Sequence, residues 1–499
     1  MSVSQARMSD DGLPIEHQTD DGEATTRERW IVAIVALSSF MTVTSGTMAN
    51  VALPAIGDHF EVDTAAIGWL VTIYLLTFGI AMPFHGRLSD RFGERRIFVF
   101  GLTVFTIGAT LTGLAVSFPM LLICRALQSV GAAAVTSLGI AMVARVVPSE
   151  RRGRTLGIVT TAVSGGTALG PTLGGAITQF GSWRMVFLFS SLLLLVIPFA
   201  LRHLPSPPER NPVRIDWFGG VAVGMAVAGV ILSITSLQRD GGFSTLVLVS
   251  IGVAVAGVVL TVLRQRTHPA PFIERTLLIN RQYLLLCLVG LLTMMGTISA
   301  YIIAPFLYRD VNGLSSGQVG LALLPQALAV VILSRTAGRL SDRISPYRLI
   351  CIGLLISSAT LLSFSTLAIG WSAPAFAALT VVLGIGQSFV NAPLSTALTR
   401  SIPASVFGVG LGVYNMLFFV GTSLGAAIAT GLLTSRESAS STLLPFYRGS
   451  VQFSEYSDAF LPGVIACLLA AGVVLIAARQ PQRSETVGGS VHESAVSPR

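Results

Sequence analysis

The chain contains no lysine. All 32 basic residues among its 499 positions are arginine, and with 24 acidic residues they leave a net charge of +8. Charged residues of either sign make up 11% of the sequence, against roughly 25% in an ordinary soluble domain. So few charges cannot cover a soluble globule or solvate a disordered chain, which excludes a cytosolic enzyme, a secreted domain and an intrinsically disordered protein. Cysteine is also scarce: Cys124, Cys287, Cys351 and Cys467 all fall in apolar runs, with no C-x-x-C pair. Neither a disulfide framework nor a metal site is expected. No catalytic triad pattern occurs, and no glycine-rich loop ends in Gly-Lys-Ser/Thr, so an enzyme, a cofactor and a nucleic-acid partner are not expected.

What the chain has is apolar residues, 52% of the total, with 50 glycines besides. They arrive in runs of about 20, the length of a bilayer span. Fourteen runs are read, from 30–54, 64–86, 97–117, 119–142, 154–178 and 184–201 through to 406–433 and 459–478. Residues 1–29 are polar and acidic, unlike a signal peptide, and read as a disordered cytoplasmic tail; residues 479–499 read as a second one. An even number of spans places both termini on one side. Alternating the runs puts 26 arginines on that side and five (Arg184, Arg239, Arg309, Arg436, Arg448) on the other, with Arg125 inside a span. Arginine collects on the cytoplasmic side of membrane proteins, so both termini are expected in the cytoplasm.

Two segments repeat. Gly86-Arg-Leu-Ser-Asp90-Arg91 recurs as Gly338-Arg-Leu-Ser-Asp342-Arg343, and Gly166-Thr-Ala-Leu-Gly170 recurs as Gly421-Thr-Ser-Leu-Gly425, at nearly equal offsets. The expected organisation is therefore a six-helix bundle at 30–201, a linker with two extra spans and an interfacial helix at 202–280, and a second six-helix bundle at 281–478. Internal repeats of this kind are typical of secondary transporters, with the substrate site between the halves.

Three motifs have a physical reading. In the first, Gly86 lets two helices approach closely, Gly93 permits a tight reversal, and Asp90 suits a helix N-terminus, where the dipole favours an anion. Arg91, Arg95 and Arg96 hold this loop at the membrane surface. In the second, Gly166, Gly170 and Gly174 are four apart and share a helix face, Gly175 follows, and Pro171 removes one helical donor and bends the run. In the third, Leu121-x-x-x-Arg125-x-x-Gln128-Ser129-x-Gly131 places a charge roughly 10 Å below the outer boundary. A charge there costs on the order of 3 kcal/mol and usually faces a cavity.

These motifs resemble those of the major facilitator superfamily, and specifically its fourteen-span drug:proton antiporter branch. The resemblance covers about residues 30–478. It implies an all-α polytopic membrane protein with two six-helix bundles and two inserted helices. It further implies alternating access, a conformational latch at Gly86, Asp90, Arg91, Gly93, Arg95, Gly338, Asp342 and Arg343, and an antiporter motif at Gly166, Gly170, Pro171, Gly174 and Gly175. The segment Thr47-Met-Ala-Asn50 resembles the branch's first-helix motif, but Ser45 stands where that motif commonly has aspartate. No acidic residue is expected in mid-span; Asp458 and Glu455 read as external and His85 as interfacial. An unpaired Arg125 then favours neutral, zwitterionic or anionic substrates.

The substrate and proton pathway is expected at Arg125, Ser45, Asn50, Gln128, Tyr74, Gln387, Asn391 and Asn415. Gln326, Tyr414, Phe389, Phe418 and Phe419 are further cavity candidates, and the external segment 434–458 reads as a gate or a passive loop. The reading is of a monomer in the bacterial inner membrane, exporting small amphipathic molecules in exchange for protons. An organic-anion or metabolite transporter and a non-transporting receptor or scaffold remain open as alternatives.

Overall fold

A computed structural model describes residues 18–480, apart from 63, 206–215, 241, 315, 368–371, 404–405 and 436–453. The described residues are helical and include no strand. In a bilayer the backbone has no water to bond, so each apolar run satisfies its own amides by coiling. The helices are α1 (Gln18–Phe60), α2 (Thr64–Phe92), α3 (Glu94–Gly113), α4 (Phe118–Val146), α5 (Ser149–Phe180), α6 (Trp183–Ser190) and α7 (Ile197–His203). Then come α8 (Trp217–Asp240), α9 (Thr245–Thr267), α10 (Arg275–Ile279), α11 (Arg281–Asp310), α12 (Ser316–Arg343), α13 (Pro346–Leu367), α14 (Ala373–Ser401), α15 (Phe407–Ser435) and α16 (Ser454–Ala478). A 3₁₀ segment joins α6 to α7 and makes one continuous rod of Trp183–His203.

Among the described residues, thirteen stretches are long and apolar enough to cross a membrane. α5 is not among them, although its 32 residues reach roughly 48 Å. Its glycines, threonines and arginines dilute the apolar residues, and it lies between α1 and α12. α1 begins at Gln18, well before the apolar run, so part of the segment expected as tail is helical; residues 1–17 and 481–499 lie outside the described residues.

The packing repeats as the sequence does. α1 lies on α5 as α11 lies on α15; α3 and α2 lie on α4 as α13 and α12 lie on α14. Across the middle, α2 meets α15 and α12 meets α5. The pair α8 and α9 packs together, and α8 rests on α2 and α15. Antiparallel succession gathers Arg87, Arg91, Arg145, Arg154, Arg335, Arg339 and Arg400 at one end of the bundle. At that arginine-rich end the central helices are sealed: α14 is buried throughout from Ala392 to Thr399 and α15 from Phe407 to Met416. Farther along α15, Leu417–Val420 are only partly buried.

Candidate functional site

Three helices bring the first polar group together. Arg125, two turns into α4, is 2% exposed. Its guanidinium donates to Gln128 Oε1 at 2.7 Å, and Gln128 Nε2 donates to Ser45 Oγ of α1 at 3.0 Å. The i, i+3 spacing puts Arg125 and Gln128 on one face. The guanidinium also lies 4.1 Å from the ring centre of Tyr74 on α2 and 5.4 Å from that of Phe187 on α6. A desolvated cation over an aromatic face gains about 2 kcal/mol. Among the described residues no carboxylate pairs with Arg125, and its Nε has no hydrogen-bond partner. One residue on from Gln128, Ser129 bonds Thr77 and ties α4 to α2. Asn50 is exposed and stands apart, because five residues turn it well away from the face of Ser45.

A second polar group occupies the other half. The Tyr301 hydroxyl of α11 donates to Gln387 Oε1 of α14 at 2.6 Å. Gln387 stands to α14 as Gln128 does to α4, each reaching the first helix of its own half. The residue matching Arg125 is Gly384, where any Cβ would lie 2.7 Å from the Gln326 carbonyl oxygen of α12. Close packing of α14 on α12 therefore leaves the second group without a charge. Gln326 of α12 is buried beside the same Tyr301 hydroxyl, and the amide nitrogens of Gln387 and Asn415 are buried with no hydrogen-bond partner among the described residues. Asn391 is partly buried on α14, and the rings of Tyr414 and Phe418 pack at a tilt on α15, with Phe418 in turn edge-on against Phe419.

The repeated segments both meet the opposite half. Asp90 Oδ1 accepts from the Gly408 amide at 3.3 Å and Oδ2 from the Val409 amide at 3.4 Å, at the first turn of α15. A carboxylate is favoured there by unpaired amides and by the helix dipole. Gly86 has no room for a side chain: its Cβ would overlap the Gly408 carbonyl and lie 2.8 Å from Val409 Cα. Gly93 takes φ +88° between α2 and α3, a left-handed conformation that favours glycine. Arg91 is exposed and lies over Phe92, and Arg95 bonds the Leu201 carbonyl. In the second copy, Gly338 abuts the Gly153 carbonyl of α5 and Arg343 is exposed. The side chain of Asp342 lies outside the described residues.

The glycine stripe of α5 faces α1. A Cβ on Gly166 would lie 2.7 Å from the Phe40 carbonyl oxygen, one on Gly174 2.8 Å from Met48 Cα, and one on Gly170 would overlap the Thr47 hydroxyl. Thr47 donates to the Gly166 carbonyl at 3.3 Å. Gly175 meets Val51 at ordinary contact distance, and α5 continues through Pro171. The counterparts Gly421 and Gly425 of α15 meet Leu291 and Met295 of α11 in the same way.

The sequence reading missed several partners. Tyr301, Phe187 and Thr77 were ordinary residues in apolar runs; only the matching positions of Gln128 and Gln387 hinted at a second polar group. Glu274 was missed too. It meets Arg87, 1% exposed, at 3.3 Å, and Arg87 also donates to the Pro271 carbonyl at 3.4 Å. This pair fastens the linker before α10 to the first repeated segment. Glu274→Ala is expected to lower stability by about 1–3 kcal/mol, because it strands a buried guanidinium. Thermal unfolding of Glu274→Ala, Arg87→Ala and the double variant checks this, the double costing less than the sum. Two placements are corrected. Asp458 is fully buried within α16, which starts at Ser454 and so takes in a stretch read as external loop. His85 is buried as well, since α2 runs two turns beyond it. Most of the external segment that reads as a gate or a passive loop, residues 436–453, lies outside the described residues.

Comparison with known proteins agrees with this architecture. The sequence profile of the Major Facilitator Superfamily matches residues 35–426. The lincomycin resistance protein LmrB of Listeria monocytogenes is 27% identical over 410 residues, covering 82% of this chain and 87% of LmrB. The riboflavin transporter RibZ of Clostridioides difficile is 24% identical over 419 residues, covering 82% of this chain and 90% of RibZ. Among solved structures, the human organic anion transporter MFSD10 (TETRAN) superposes with a TM-score of 0.65 at 17% identity, covering 90% of this chain and 99% of that one. A multi-pass helical membrane protein with this packing and this profile match belongs to the Major Facilitator Superfamily of transporters.

Proposed function

We propose that the chain is a secondary transporter that exports small amphipathic molecules by alternating access, in exchange for protons. Its two six-helix halves rock against each other, with α8 and α9 as an inserted pair. The arginine-rich end faces the cytoplasm of a bacterial inner membrane. In the present conformation that end is closed, by Asp90 on the amides of α15 and by the glycine contacts Gly86–Gly408 and Gly338–Gly153. Gly166, Gly170 and Gly174 hold α1 and α5 together as one rigid wall of the pathway.

The observation that carries the substrate reading is a set of buried donors near the two polar groups that lack acceptors among the described residues: Arg125 Nε and the amide nitrogens of Gln387 and Asn415. Buried donors are costly unless something accepts from them. A substrate rich in carbonyl, ether or anionic oxygens supplies those acceptors, whereas a lipophilic cation does not. LmrB, named for lincomycin resistance, and RibZ, named for riboflavin transport, both point to oxygen-rich cargo of this kind. The same donors, with Arg125 at their head, favour the second reading, transport of an organic anion or metabolite.

Everted vesicles with an imposed pH gradient, screened with cationic, neutral and anionic compounds, test the proposal. Accumulation of neutral or anionic compounds that stops when the gradient collapses is the expected result. If accumulation persists after collapse, proton exchange is refuted; if only cations accumulate, the substrate class is refuted.

A further inference from the structure

A groove runs along the seam between α5 and α12. Near the arginine-rich end it is a cavity of about 450 Å³ bounded by Arg335, Ile332 and Thr161. Beside it lies a second cavity of about 260 Å³ that reaches Leu324 and Leu169 and is bounded also by Phe40 of α1. Thr161 and Val331 line both cavities, so the two lie side by side along the seam. From Arg335 to Leu324 the groove follows eleven residues of α12, roughly 16 Å. Half of a hydrocarbon core of about 30 Å is the depth of one leaflet. The walls are otherwise apolar, and the Thr161 hydroxyl is spent on the Val331 carbonyl at 3.2 Å.

The mouth of the groove is positively charged. Arg335 and Arg339 are exposed one turn apart on α12, and the charges of Arg335 and Arg154 both bear on Arg339. Like charges at this spacing repel. An anion between them removes the repulsion, and planar guanidinium groups suit phosphate.

We propose that this seam is a binding site for an anionic phospholipid of the adjoining leaflet, its phosphate held by Arg335 and Arg339 beside Arg154 and one acyl chain lying in the groove between α5 and α12. Charge at the mouth, an apolar interior and a length of one leaflet match the two ends of such a lipid. The site does not depend on what the chain transports. Because its walls belong to different halves, the bound lipid bridges the seam.

The test is native mass spectrometry and thermal unfolding of the purified full-length protein, titrated with phosphatidylglycerol or phosphatidylcholine. Phosphatidylglycerol is expected to be retained at least about fivefold more and to raise the unfolding midpoint, since each basic residue near an anionic lipid contributes on that order. Arg335→Gln with Arg339→Gln should abolish the preference, while Arg479→Gln, away from the seam, should keep it. Ala162→Phe, which fills the groove and leaves the charges, should reduce retention of phosphatidylglycerol. Equal retention of the two lipids overturns the proposal, as does an undiminished preference in the paired arginine variant. If inorganic phosphate alone reproduces the midpoint shift, the site is a simple anion site and the lipid assignment fails. The arginine variants are on the surface and settle the matter even if Ala162→Phe does not fold.

Discussion

Gly86→Val is expected to cut transport by at least about tenfold while leaving both halves of the protein folded. The Cβ of any residue at 86 overlaps the Gly408 carbonyl and lies 2.8 Å from Val409 Cα, and these are backbone atoms that no rotamer change moves. Overpacking of this kind costs about 1–3 kcal/mol. Inside a single bundle that cost lowers stability. Here the contact lies between α2 and α15, so the halves relieve it by parting. A bias of that size shifts a two-state equilibrium by roughly 5- to 150-fold. Spin labels at Phe92→Cys and Arg343→Cys, exposed on opposite halves at the arginine-rich end, should report longer distances in Gly86→Val. Gly170→Val makes the contrast. Its clash is with Thr47, within one half, and it should lower the unfolding temperature without lengthening that distance. Native transport and native spacing in Gly86→Val would remove the latch from the mechanism.

Arg125→Ala is expected to reduce transport about a hundredfold or more with little change in stability. The contacts of the guanidinium are one charged hydrogen bond to Gln128, about 1.5–3 kcal/mol, and the Tyr74 face, about 2 kcal/mol. Against them stands a cost on the order of 3 kcal/mol for placing a charge at this depth. Those quantities leave a balance of only about 0.5–2 kcal/mol, and with no carboxylate partner the substitution strands no opposite charge. A residue kept at such balance is explained by function. Arg125→Lys should also fail, because a compact ammonium cannot stack on Tyr74 and bond Gln128 together. Tyr74→Phe keeps the ring and should transport; Tyr74→Leu removes it and should not. Transport in vesicles and thermal unfolding, measured on the same preparations, decide. An alanine variant at full transport rate, or one that unfolds many degrees lower, contradicts this account.

Much of the architecture was legible because its signals are local. Apolar runs, the glycine period of four on α5 and the paired copies of Gly-Arg-Leu-Ser-Asp-Arg each lie within a few dozen residues. The misreadings have an equally physical origin. Asp458 reads as external because charges seldom start a span, yet α16 begins four residues before it and buries it completely. His85 reads as interfacial from its place near the arginines, but two further turns of α2 carry it inside. Ser45, the departure from the expected carboxylate, was plain in the sequence; that it binds Gln128 and so completes a chain to Arg125 was not.

By itself the sequence determined the helices, their number to within the marginal span α5, the duplication and the sided arginines. Hydrophobic period and charge count act along the chain, so composition suffices to read them. Only the tertiary structure decided which surfaces those helices spend on each other. It put the Asp90 carboxylate on amides 318 and 319 residues away. It turned the glycine stripe of α5 toward α1 and left the adjoining face of α5 as a groove against α12. It closed the bundle at its arginine-rich end. Those outcomes depend on shape complementarity between elements distant in sequence, where one backbone can approach another only if a Cβ is missing, and no local pattern records the partner.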